Sequence, residues 1–174
     1  KLIIINSPHN PTAKVFTASD LEALEHIVKG TNIMLLSDEV YEHITFDNQP
    51  HQSVLSRKLL AERSFVVSSF GKTYHCTGWK VGYVIAPQNL MQEFRKVHQY
   101  NVFSVSTPAQ VAFAEILKEE DMYLSLSSFY EAKRNFFRDA LKASRFGLLD
   151  CEGTYFQLAS YDQISDAKDV EFAK

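Results

Sequence analysis

Lys72 is the residue in this chain best placed by its neighbours for covalent chemistry. It ends Ser68-Ser69-Phe70-Gly71-Lys72, a small-residue loop that follows a short apolar, β-branched run, and it precedes Tyr74, His75, Gly78 and Trp79. A lone surface lysine is ordinarily just solvated. A lysine at the carboxyl end of a sheet strand has a different prospect, because ligands in open α/β sheets gather there. Two further polar groups occupy equivalent places: Asp38-Glu39-Val40-Tyr41 follows one such run and Asn10 follows another. An amine, a carboxylate, a phenol and an amide converging on one crevice form the inventory needed to hold an aromatic, phosphorylated cofactor. Taken singly, Asp38 also suits a helix N-cap, Tyr41 a core aromatic with a bonded tip, and Trp79 plain core. Glu39 reads as structural, and Tyr74 and His75 border the lysine loop.

Other chemistries fail on spacing. Gly71-Lys72-Thr73 resembles the end of a phosphate-binding loop, but that loop needs a glycine five positions before Gly71, where Val66 stands. The six histidines form no metal-ligand pattern, and the two cysteines, Cys76 and Cys151, form no Cys-x-x-Cys pair, so no metal is expected. No Gly-x-Ser-x-Gly elbow occurs. With 21 acidic against 18 basic residues and a net charge of −3, broad nucleic-acid binding by charge is not expected. The apolar runs fall far short of the ~20 residues of a membrane span. Two cysteines make no disulfide scaffold, and a reduced, cytoplasmic protein is the ordinary reading.

The elements that must position these groups follow the βαβ pattern of a largely parallel sheet. Strands are expected at 2–6, 33–37, 64–68 and 81–86, each a short run without alternation, as in strands covered on both faces. Thr17 and Asp20 form a capping-box-like pair opening a helix with Leu21, Leu24, Ile27 and Val28 on one face, stopped by Gly30. Helices are expected at 88–99, at 108–119 with Pro108 first, and at 123–145. In that last helix Leu126, Phe129, Tyr130, Phe136, Phe137, Ala140 and Leu141 give one apolar stripe, read as core packing. A further strand is expected at 154–158 and a helix-like run at 169–174. The chain opens on Lys1 directly in a strand and ends in that run, which reads as an interior segment of a longer protein.

Three ordered motifs resemble class I aminotransferases, the fold-type I enzymes that use pyridoxal 5′-phosphate. Ser69-x-x-Lys72 with Thr77-Gly78-Trp79-Lys80-Val81-Gly82-Tyr83 is similar to their lysine signature. His9-Asn10-Pro11-Thr12 is similar to their Asn-Pro loop, and Ser37-Asp38-Glu39-Val40-Tyr41 to their Asp-x-x-Tyr element. Lys80 in Gly-Trp-Lys, Val97-His98-Gln99, and Phe103 ahead of Thr107-Pro108-Ala109-Gln110 resemble the methionine and kynurenine subgroup. Ala13 departs from the family, where glycine is common.

The resemblance implies an α/β three-layer sandwich with a mostly parallel sheet, seven-stranded in the whole family, and an antiparallel strand at 81–86. It implies residues 1–122 as part of the cofactor-binding large domain, 123–147 as a connecting helix, and 148–174 as the start of a small C-terminal domain. Lys72 would form the Schiff base and serve as base. Asp38 would pair with the ring nitrogen. Tyr41 and Asn10 would bond the phenolate oxygen. Ser69 and Lys80 would bind the phosphate, Lys80 as a point charge where most of the class has arginine. A homodimer, small amino-acid and 2-oxo-acid substrates, and ping-pong transamination are likewise implied, with no nucleic acid and no membrane. Asn101-Val102-Phe103-Ser104 carries no cation where dicarboxylate-specific relatives have one, so an uncharged substrate side chain is expected. None of Arg57, Arg63, Arg95, Arg134, Arg138 and Arg145 lies in a segment like the family's carboxylate-binding arginine. A carbon–sulfur β-lyase of the same fold and an aminotransferase-like sensor domain of a transcriptional regulator are the rival readings.

Overall fold

The computed structural model describes residues 1–174. β1 (Leu2–Asn6), β2 (Met34–Asp38) and β3 (Ser64–Ser69) are mutually parallel, and β4 (Gly82–Ile85) runs antiparallel to β3, giving the order β1-β2-β3-β4. All four expected strands are present with ends moved by at most a residue, and the antiparallel one is β4. In register, Asn6 lies opposite Asp38, Asp38 opposite Val67, and Ser69 opposite Gly82. Side chains alternate across a strand. Ile3, Ile5, Leu35, Ser37 and Val66 therefore share one face, and Asn6, Asp38 and Ser69 the other.

α1 (Ala18–Val28) covers the first face. Thr17 caps it: its hydroxyl accepts from the Asp20 amide, and the Asp20 carboxylate accepts from the Thr17 amide. Leu21, Leu24 and Val28 sink into a core with Leu35, Val54, Leu60 and Val66. Ile27 was expected on this face but is 60% exposed, because the stripe is set by positions 21, 24 and 28 and Ile27 falls at its rim. Gly30, at φ +72°, turns the chain out of the helix. A 3-10 turn at Val54–Ser56 and α2 (Lys58–Ala61) lead into β3.

After α3 (Phe70–Thr73) and β4, helices dominate: α4 (Gln88–Asn101), α5 (Thr107–Ile116), α6 (Asp121–Leu124) and α7 (Leu126–Leu141). The single helix expected at 123–145 is thus two, broken at Ser125. It ends early because both the amide and the hydroxyl of Ser144 bond the Leu141 carbonyl, tightening the last turn. Its stripe is not core. Leu126 is buried, but Phe129, Phe136 and Phe137 are 50, 78 and 47% exposed. They border a groove of about 740 Å³ that Phe46, Tyr155 and Phe156 line from the other side, too few side chains to cover the stripe.

β5 (Gly147–Leu148) and β6 (Ala159–Ser160) form a small antiparallel pair, and α8 (Asp169–Phe172) closes the chain. The strand expected at 154–158 is absent. Thr154 has φ +64°, its amide bonds the Ile44 carbonyl at 2.8 Å, and its hydroxyl accepts from the Phe156 amide at 3.2 Å, which curls the segment. This segment folds back onto the loops after β1 and β2. The Glu152 and Gly153 amides bond the Ala13 carbonyl at 3.0 and 3.1 Å. The Glu152 carboxylate takes the Val15 amide at 2.9 Å and Lys14 Nζ at 2.5 Å. Only glycine fits at 153, since a Cβ there would sit 2.6 Å from the Ile44 carbonyl oxygen. Beside this clasp, Arg134 of α7 grips both Asp47 oxygens, at 2.6 and 2.8 Å, and lies over the Phe46 ring.

Candidate active site

The carboxyl end of β2 is tied on two sides. From β1, the Asn6 side-chain amide donates to the Asp38 carbonyl at 2.9 Å, and its oxygen accepts from the Asn10 amide at 2.8 Å. One side chain thus sets the loop bearing Asn10 beside Asp38. The Asp38 carboxylate accepts from the Val40 amide at 3.2 Å, the turn geometry that makes a strand-end aspartate resemble a cap. Ala13, where the family commonly has glycine, holds φ +60° and is buried, so the backbone keeps the conformation that glycine would favour.

Glu39 bears out its structural reading. It is 2% exposed, and its carboxylate accepts from Ser37 Oγ at 2.9 Å, His51 Nε2 at 2.8 Å and the Val54 amide at 3.1 Å. Burial pushes its pKa up, but the bonds from His51 and Val54 outweigh that and hold the carboxyl below the usual carboxylate range. An ionised Glu39 makes His51 Nε2 the donor, which leaves the buried Nδ1 of His51 without a partner.

Tyr41 is 2% exposed, packed with Ala13, Ile44, Phe46, Leu126 and Cys151. Its hydroxyl donates to the Tyr155 hydroxyl at 3.4 Å, the long limit for such a bond, which leaves it available to a better acceptor. Burial, then Tyr155, then the negative charge of Asp38 push this phenol far above its ordinary pKa, so it stays a donor.

Ser69 caps α3: its hydroxyl accepts from the Gly71 amide at 3.1 Å and donates to the Val81 carbonyl at 3.3 Å. Lys72, half-buried, rides on this one turn. The turn folds tightly enough that a Cβ on Gly71 would stand 2.8 Å from Thr77 Cα. Phe70 and Tyr74 anchor it on Phe113, Phe70 stacked at 4.6 Å. Trp79 is 54% exposed and so is not core. His75 Nε2 and the Tyr130 hydroxyl are 2.8 Å apart, joining the lysine turn to α7. Lys80 is exposed at φ +55°, just ahead of β4.

Asn10, Asp38, Tyr41, Ser69 and Lys72 all follow or end β1, β2 and β3 at their carboxyl ends, and Lys80 leads into the strand paired with Ser69. None of the six hydrogen-bonds another through its side chain; the Asp38 carboxylate takes only the Val40 amide, the Tyr41 hydroxyl only the distant Tyr155 hydroxyl, and Ser69 Oγ the Gly71 amide and Val81 carbonyl of its own turn. One carboxylate, one amide, two hydroxyls and two amines fit the ring nitrogen, phenolate oxygen, aldehyde and phosphate of pyridoxal phosphate. No cluster of His, Cys, Asp or Glu suits a metal, and no helix is long and apolar enough to cross a membrane. Arg57, Arg63, Arg134, Arg138 and Arg145 are each engaged with protein carbonyls or carboxylates.

Sequence reasoning missed Asn6 and a second carboxylate, Glu42. The latter accepts from the Tyr83 hydroxyl at 2.7 Å and from Ser68 Oγ at 3.2 Å. Polar residues ending otherwise apolar strands were the available signal for both.

The sheet thus carries a lysine turn, an aspartate turn and an asparagine loop at its strand ends, the residue types of a candidate pyridoxal-phosphate site. Residues 1–174 match the model of the aminotransferase class I and II family, and the chain belongs to that family. Class I aminotransferases of this kind use pyridoxal phosphate. A methionine aminotransferase of Escherichia coli is 53% identical over 175 residues, which is 100% of this chain and 45% of that protein. Its crystal structure superposes with a TM-score of 0.96 over 99% of this chain and 46% of that one. A kynurenine–oxoglutarate transaminase of Dictyostelium discoideum is 37% identical over 169 residues, 94% of this chain and 39% of the relative. The N-succinyldiaminopimelate aminotransferase structure from Mycobacterium tuberculosis gives a TM-score of 0.94 at 35% identity, covering 99% of this chain and 45% of that one. The chain therefore spans less than half the length of these relatives.

Proposed function

We propose that this chain is the cofactor-holding part of an aminotransferase that moves the amino group of an uncharged, methionine-like or aromatic amino acid to a 2-oxo acid. The observation that carries this reading is the gathering of Asn10, Asp38, Tyr41, Ser69 and Lys72 at the carboxyl ends of three consecutive parallel strands. Bound pyridoxal phosphate supplies an aldehyde and an electron-poor ring that draws charge from the substrate's α-carbon. Lys72 would hold that aldehyde through Nζ and, once displaced by substrate, would serve as the base that accepts the α-proton and as the acid that delivers it to the carbon where the amino group is retained. The Asp38 carboxylate keeps a proton on the ring nitrogen. Tyr41, held protonated by burial, and Asn10 donate to the phenolate oxygen and favour its anion. Ser69 Oγ and the Lys80 amine bind the phosphate, Lys80 as a flexible point charge.

The substrate class rests on the cation-free stretch 101–104 and on the activities named for the similar proteins. In this reading residues 1–122 belong to the large domain, 123–147 connect, and 148–174 begin the small domain of a cytoplasmic homodimer. Its two cysteines are free, in keeping with that compartment. Borohydride reduction of the cofactor-loaded intact protein, followed by peptide mapping, should place the pyridoxyl group on Lys72, and label on another lysine rejects the assignment. Comparison of kcat/KM should favour methionine and phenylalanine over aspartate, whose second carboxylate would be desolvated without a partner.

A further inference from the structure

Glu42 directly follows the turn that carries Asp38 and Tyr41, yet its side chain reaches the two neighbouring strands. A single oxygen, Oε1, accepts from the Tyr83 hydroxyl at 2.7 Å and from Ser68 Oγ at 3.2 Å. Ser68 is the backbone neighbour of Ser69, three residues from the turn's Gly71, and lies opposite Tyr83 in the β3–β4 pair. Tyr83 in turn comes three residues after Lys80. One carboxylate thus joins the ends of β2, β3 and β4 at the level where the candidate site begins. On its own side, the Glu42 amide bonds the Glu39 carbonyl at 2.9 Å, which ties it to the buried Glu39–His51 network.

The partners suit a permanent bond. Burial pushes the Tyr83 phenol up to about 12, and Glu42 adds to that, so the hydroxyl remains a donor at physiological pH. His43, whose Nε2 lies 3.9 Å from Glu42 Oε1, is beyond hydrogen-bond distance, and burial holds it below its ordinary pKa. Hydrogen bonds to an ionised acceptor are short and directional, and two of them on one oxygen fix its position.

We infer that Glu42 is a positioning residue that locks the Asp38–Tyr41 turn to the Ser69–Lys72 turn, so that the two halves of the cofactor site keep one geometry. This rests on the aminotransferase reading above, and deepens it by naming how the ring-binding and amine-bearing halves are registered. A residue that only stabilises the sheet would lower the melting temperature and leave the bound cofactor's spectrum alone. A positioning residue moves that spectrum, because the Tyr41 hydroxyl loses its place beside the phenolate oxygen.

The test uses the intact protein loaded with pyridoxal phosphate. Four forms are compared: parent, Glu42→Ala, Tyr83→Phe and, as a purely structural control, the core variant Leu24→Ala. Three readings are taken: melting temperature of the cofactor-free form, dissociation constant for pyridoxal phosphate, and the pH midpoint of the visible absorbance. Glu42→Ala should weaken cofactor binding about tenfold and raise the midpoint in the same direction as Tyr41→Phe. Tyr83→Phe, which keeps the ring and removes one donor, should do the same to a smaller extent. It also reports if Glu42→Ala fails to fold. Leu24→Ala should lower the melting temperature with the midpoint unmoved. Midpoint and affinity unchanged in both Glu42→Ala and Tyr83→Phe, or moved equally by Leu24→Ala, overturn the inference. A parent protein that takes up no pyridoxal phosphate overturns instead the functional reading on which it stands.

Discussion

The turn after β2 and the turn after β3 carry complementary halves of one site but are held by opposite means. The first is fixed by charge. Glu39, buried, gathers three donors, and Glu42 gathers two more. The second is fixed by shape: Gly71 lies against Thr77, Ser69 caps a single helical turn, and Phe70 stacks on Phe113. The carboxylate turn offers a fixed anion and a buried phenol. The lysine turn leaves Lys72 half-buried and Lys80 exposed, as suits groups that must meet and leave a ligand. The two halves should therefore fail under different insults.

Glu39→Ala should be the most damaging single change, because it strands the His51 and Val54 donors in the interior; a loss of about 3 kcal/mol is expected in urea unfolding of the intact protein. A loss below about 1 kcal/mol would dissolve the contrast between the turns. Gly71→Ala should cost about 2 kcal/mol by driving a Cβ toward the Thr77 backbone, whatever the pH.

Acid sharpens the same contrast. The Glu39 carboxyl is lower in the folded than in the unfolded state, so its stabilisation is complete above the ordinary carboxylate value of 4.5 and fades as pH falls through the lower folded value. Parent and Gly71→Ala should therefore lose stability in parallel below about pH 4.5, while Glu39→Gln loses less over that window. Urea midpoints measured as a function of pH check this, and parallel curves for all three would remove Glu39 as the acid-sensitive group. The smallest effect is expected from Lys96→Ala, whose pair with Glu93 lies exposed on α4; its loss should stay within about 0.5 kcal/mol.

What was legible in the sequence was local. The Thr17–Asp20 capping box, the apolar runs of β1 to β3 and the turn residues after them need only neighbours within a few positions, and they fold as read. The six candidate site residues were named from their places after apolar runs and from the family resemblance, and the fold sets them at or beside the ends of β1 to β4. Tertiary contacts overrode the reading elsewhere. Residues 154–158 have a strand's composition, but Thr154 is curled by a bond to Ile44, more than a hundred residues earlier. Phe129, Phe136 and Phe137 repeat at core spacing without meeting a core. Glu42 escaped notice because its role depends on Ser68 and Tyr83, which only β-pairing brings to it.

The clasp between residues 13–15 and 152–154 joins groups as far apart as Ala13 and Gly153. Closing so long a stretch of chain carries an entropic penalty that local turns avoid, so these contacts are expected to form after the sheet and to release before it. In a hydrogen-exchange measurement, the amides of Val15, Glu152 and Thr154 should exchange together and faster than those of Leu35 and Val66 in the sheet, and equal protection would refute this. Tyr155, one residue beyond the clasp, holds the Tyr41 hydroxyl. Opening of the clasp should also release that hydroxyl, so the exchange rate of the Thr154 amide is expected to report how often Tyr41 is free to change partners.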